Sequence, residues 1–144
     1  MGLTEILKDD TKHRAVVEDA ARVLDAEVAS KRGLSGVAVK GGYKTVKRLK
    51  PGMIMSALGM LLPRFAPAID PFWEKGKASG DVHKYFRDNA GPIADALLAV
   101  TDERAAHAKN KVMKKVYSSL RPKAREHTIA GVPRLSGLIE RHAG

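Results

Sequence analysis

The chain has 144 residues, 44% of them hydrophobic and 29% charged, and no cysteine. That length buries one core unaided, and the missing thiols exclude a disulfide framework, a thiolate zinc site and a cysteine nucleophile. The 26 Lys and Arg against 16 Asp and Glu give a net charge of +10, but residues 31–69 and 104–125 each hold eight basic residues and no acidic one, so the rest is net negative.

The first ten residues carry Glu5, Lys8, Asp9 and Asp10 and no apolar run of a signal peptide, so a cytoplasmic location is expected. A short amphipathic turn over residues 4–8 precedes a helix capped near Asp10. Its Val17, Ala20, Leu24 and Val28 recur at helical spacing until Gly33 closes it. A second helix runs from near Ser35 to Lys50, with Val39, Tyr43, Val46 and Leu49 on one face, and Pro51-Gly52 ends it. In the third, Ile54, Leu58, Leu61, Phe65 and Ile69 keep phase across Pro63, which predicts one helix kinked there. Its apolar run, residues 53–62, stops at Pro63-Arg64; a bilayer crossing needs roughly 20 residues, so no spanning helix is expected.

Between residues 71 and 88, Gly76, Ser79 and Gly80 among Phe72, Trp73, Tyr85 and Phe86 predict a connecting loop. Apolar spacing then resumes with Ile93, Leu97 and Val100, with Val112, Val116 and Leu120, and with Ile129, Val132, Leu135 and Ile139, where Pro133 predicts a second kink. Residues 92–120 form either one long helix or two joined by a bend near Asn110.

These segments suggest a duplication. Leu49-Lys50-Pro51 matches Leu120-Arg121-Pro122, and Pro63-Arg64 matches Pro133-Arg134. The expected architecture is all-α: a compact bundle of six to eight helices in one domain, built from two pseudo-repeats at about residues 11–70 and 89–142.

The stretches Lys31-Arg32-Gly33-Leu34-Ser35-Gly36, Lys40-Gly41-Gly42-Tyr43, Asp70-Pro71-Phe72-Trp73 and Leu138-Ile139-Glu140-Arg141-His142-Ala143 resemble, across essentially the whole chain, a family of small basic actinobacterial proteins classed as a domain of unknown function. The resemblance implies an intracellular bacterial helical protein and assigns no activity and no site residue.

Catalytic signals are weak. His13, His83, His107, His127 and His142 show no metal-ligand spacing and read as solvated or helix-terminal side chains. Gly76-Lys77-Ala78-Ser79 lacks the first glycine and the hydroxyl that a phosphate-binding loop requires, and Gly33-Leu34-Ser35-Gly36 has the wrong spacing for a nucleophile elbow. No enzyme, metal or cofactor is expected. Glycines at 36, 42 and 59 predict close helix crossings, because an interior glycine costs about 1 kcal/mol relative to alanine.

The functional bias lies in two lysine-rich helix faces, Lys40, Lys44, Lys47 and Arg48, and Lys111, Lys114, Lys115 and Arg121. Like charges at i, i+4 repel, so a polyanion would relieve them. The leading expectation is a binding protein that contacts the phosphates of nucleic acid or a ribonucleoprotein without sequence specificity. The alternatives are a peripheral protein on anionic membranes, an apolar-ligand carrier with a pocket at Met53, Met60 and Phe65, or an adaptor for an acidic protein, with homo-oligomers formed through Trp73 and its neighbours.

Overall fold

A computed structural model describes residues 2–143, and among them seven α-helices account for all regular structure. They are α1 (Leu3–Ile6), α2 (Asp10–Ser30), α3 (Gly33–Leu49), α4 (Met53–Ser79), α5 (Val82–Asp88), α6 (Ala90–Ala106) and α7 (Lys111–Ala143).

The helix ends follow from local chemistry. Asp9, one residue before the expected cap, accepts a hydrogen bond from the Lys12 amide and starts α2. Gly33 opens α3 rather than closing α2, its φ of 75° turning the chain after α2 has stopped at Ser30. Asp81 caps α5 through the Lys84 amide. Asn110 accepts from the Met113 amide at 3.1 Å and starts α7, so residues 92–120 form two helices, separated at His107–Asn110.

The expected connecting loop is corrected, and the two matched prolines prove unlike. The segment 71–88 is helical almost throughout: α4 continues to Ser79, turns at Gly80 with φ 90°, and α5 follows. Pro122 lies within α7, whereas Pro51 precedes a real break, because Gly52 takes φ 83° and Lys123 stays helical.

Pro63, Pro67 and Pro71 stand four residues apart in α4, all exposed. A proline has no N–H, so each takes the usual donor from the carbonyl four residues earlier. The Gly59 carbonyl, released by Pro63, accepts from His13 Nε2 at 3.2 Å.

The core lies toward one end. Trp73 of α4 meets Phe86 of α5 edge to face, with ring centroids 5.9 Å apart at 83°. Leu3, Val16, Ile69, Ile93, Val132 and Ile139 surround them, all but sealed from solvent. Complete burial of such side chains stabilises a fold by about 1.5–3 kcal/mol each. Trp73 is therefore unavailable as a self-association surface. The carboxylate of Asp70 in α4 accepts from the Leu3 and Thr4 amides at 2.8 and 3.2 Å, which ties α1 onto this core.

At the same end Asp19 is buried and receives two hydrogen bonds from Arg141, at 2.8 and 3.1 Å, and one from His142. The Arg141 guanidinium, more than burial or His142, holds the Asp19 carboxyl below its ordinary range. Glu27 joins α2 to α7: burial alone would raise its pKa, but hydrogen bonds from Lys31 and then Arg134 bring it below the usual value.

The run of consecutive apolar residues in α4 stops at Pro63-Arg64, but by length and composition alone the whole helix reaches what a bilayer crossing needs. Its second half supplies Ile69, Trp73 and Gly76 to the core. The first half is less covered: Ile54, Leu58, Leu61 and Phe65 are half-buried, and Met55 and Met60 are exposed.

Candidate functional site

The two lysine-rich helices touch. A Cβ added at Gly42 of α3 would meet Val116 Cγ1 at 3.3 Å and Leu120 Cδ1 at 3.5 Å, so the absent side chain lets α3 approach α7. Gly36 instead faces the backbone of its neighbour Lys31, and Gly59 has open space beside it, so neither of those glycines serves the expected helix crossing.

The eight basic residues separate into two groups. Lys47 pairs with Asp25 of α2 at 3.1 Å, its Nζ standing 5.1 Å from the Tyr43 ring centroid. Arg121 grips Asp102 of α6 with two hydrogen bonds, at 2.8 and 3.0 Å. In each case a tyrosine hydroxyl joins the same carboxylate, Tyr43 on Asp25 and Tyr117 on Asp102. Burial and then the adjacent carboxylate push both phenols above their ordinary pKa. The tyrosine hydroxyl and then Lys47 lower the pKa of Asp25, whereas Arg121 and then the tyrosine lower that of Asp102. These two cations are occupied within the fold. Sequence reasoning missed the acids because they lie on other helices, yet Tyr43-x-x-x-Lys47 and Tyr117-x-x-x-Arg121 carried the signal.

Lys40, Lys44, Arg48, Lys111, Lys114 and Lys115 form no ion pair among the described residues. They are accompanied by apolar surface that the sequence reading overlooked. Among the described residues the exposed large hydrophobics are Leu34, Val37, Leu49, Met55, Met60 and Val112. All six fall within the two acid-free stretches, 31–69 and 104–125.

On α3 this has a regular form. Leu34, Val37, Ala38, Gly41, Lys44 and Arg48 are all exposed, and their i, i+3, i+4 spacing sets them on one outer face. Leu34 is 93% exposed and Val37 67%. Only Gly36 and Val46 of α3 are buried, so this helix lies on the body with an apolar and cationic side turned outward.

The expected pocket of Met53, Met60 and Phe65 is divided between two hollows. Met53 and Met60 line a groove of ≈ 430 Å³ between α4, α6 and the start of α7. Phe65 lines a smaller apolar hollow of ≈ 200 Å³ between α2, α4 and α7.

A serine, a histidine and a carboxylate also meet in space. His83 of α5 contacts Ser136 Oγ at 2.9 Å through Nδ1 and Glu140 at 2.8 Å through Nε2. Ser136 is 1% exposed and donates its hydroxyl to the Pro133 carbonyl three residues back along α7, at 2.9 Å. A nucleophile needs a free hydroxyl and an approach path; here the histidine straps α5 to α7. Among the described residues no group of three His, Asp or Glu could hold a metal ion.

No curated protein and no solved structure matches this chain. A family model matches residues 3–143, nearly the full length, and the chain accordingly belongs to the family described as "Family of unknown function (DUF6918)".

Proposed function

We propose that the protein binds anionic membrane surfaces peripherally, with the outer face of α3 and the neighbouring start of α7 as the contact. One observation carries this reading: among the described residues, the exposed large apolar side chains lie in the acid-free stretches, among lysines and arginines most of which have no carboxylate partner. Apolar side chains beside cations suit the boundary between headgroups and acyl chains, where Leu and Val leave water while Lys and Arg remain with phosphates. Each cation near an anionic leaflet contributes about 1 kcal/mol.

The contact of Gly42 with Val116 and Leu120 favours a second reading, phosphate contact with nucleic acid, because it sets two cationic segments side by side. It leaves the exposed Leu34 and Val37 without a role. Co-sedimentation with phosphatidylglycerol-rich vesicles, compared with duplex DNA and single-stranded RNA at matched salt, separates the two. The variant Leu34→Gln/Val37→Gln should weaken vesicle binding by about tenfold or more and leave nucleic-acid binding unchanged; Lys44→Gln/Arg48→Gln should weaken vesicle binding as well. Vesicle affinity that is absent, or indifferent to Leu34 and Val37, defeats the membrane reading.

A further inference from the structure

The groove between α4, α6 and α7 has a chemistry of its own. Met53, Ala57, Met60 and Leu61 of α4 form one wall, with Met113 and Tyr117 of α7 opposite. Methionine side chains give such a wall an adaptable apolar lining. Arg104, Lys109 and Lys114 also line it, and no carboxylate does. None of these three cations forms an ion pair among the described residues, since the nearby Asp102 is taken by Arg121 and Tyr117.

Arg104 is the most telling. Its Nε is buried without a hydrogen-bond partner, and a terminal nitrogen rests against the Met60 sulfur at 2.9 Å. A thioether is a weak acceptor for a guanidinium, and a buried donor without a partner costs about 1–3 kcal/mol. An incoming oxyanion in place of the Met60 sulfur would give the terminal nitrogens a stronger acceptor, since planar guanidinium N–H groups match carboxylate and phosphate geometry.

We infer that this groove binds a single-chain anionic amphiphile, its alkyl chain along Met53, Met60 and Met113 and its oxyanion on Arg104, with Lys109 and Lys114 beside it. The ≈ 430 Å³ of the groove falls in the lower range of small-molecule sites. The shared chemistry is an alkyl chain ending in a carboxylate or a phosphate. The groove shares the start of α7 with the proposed membrane contact, but binding of a monomeric amphiphile does not depend on vesicle binding.

The test uses the full chain and monomeric probes, kept below their micelle-forming or solubility limits: dodecanoate, dodecyl phosphate, dodecanol and dodecyltrimethylammonium. Calorimetry should show binding of at least one anion, at least about tenfold tighter than the cation; comparing the two anions identifies the preferred head. Of the five methionines, the labelled methyl groups of Met53, Met60 and Met113 should shift on titration, while Met55, outside the groove, should not. Arg104→Met should cost the anions about tenfold in affinity and leave dodecanol unaffected. Ala105→Trp should fill the groove and remove binding of every probe. Equal affinity for cation and anion, or shifts confined to the hollow around Phe65, would overturn the assignment. Should vesicle binding fail while these methyl groups respond, the amphiphile site survives and only the membrane reading falls.

Discussion

α4 and α7 each run through two unlike environments. At one end Ile69, Trp73, Val132 and Ile139 are sealed among α1, α2, α5 and α6, and acids such as Asp19 and Glu27 are gripped by arginines from α7. At the other, Met55, Met60 and Val112 are exposed, and most cations have no acid paired with them. The same helices thus serve stability at one end and present surface at the other. Residues that hold a fold together spend their apolar area and charge on each other; residues left unspent are available to a ligand.

The largest effect expected from this contrast is at the sealed end. Trp73→Ala should lower the unfolding free energy by about 3–5 kcal/mol, through lost burial and a cavity facing Phe86, as read by urea denaturation. Asp19→Asn should cost about 2 kcal/mol, since Arg141 loses its charged acceptor. Because the folded pKa of Asp19 is depressed, its contribution is fully present above the ordinary carboxylate value near 4 and is lost as pH falls through the lower, folded value. The wild type should therefore lose stability more steeply on acidification than the variant; parallel curves would mean that Asp19 stabilises no part of the fold through its charge. The smallest effect belongs to the open end: Leu34→Gln/Val37→Gln should change stability by less than about 0.5 kcal/mol per substitution. A larger loss would show that α3 is a structural element after all.

The all-helical class was legible because apolar spacing near 3.6 residues is a local property, as in Val112, Val116 and Leu120. The continuity of α4 was not. Gly76, Ser79 and Gly80 read alike as breakers, yet only Gly80 takes a left-handed conformation, while Gly76 is buried against Val82 and Tyr85. A glycine used for close approach and one used for a turn are the same letter in sequence. Likewise, Lys47 and Arg121 read as free cations because Asp25 and Asp102 lie 22 and 19 residues away along the chain, a proximity that only tertiary packing creates. The tandem duplication remains a proposal. The recurring carboxylate, tyrosine and cation group supports it, although Tyr117 and Arg121 follow Tyr43 and Lys47 by 74 residues whereas Pro122 follows Pro51 by 71.

The three prolines on the exposed flank of α4 bear on how deeply the molecule can enter a bilayer. They leave a row of backbone oxygens at residues 59, 63 and 67 deprived of their usual amide, and His13 relieves the first of them. Hydrocarbon offers no donor for such oxygens, so water suits this flank better, and in the proposed membrane contact α4 would keep its proline side hydrated while the molecule lay on the lipid surface.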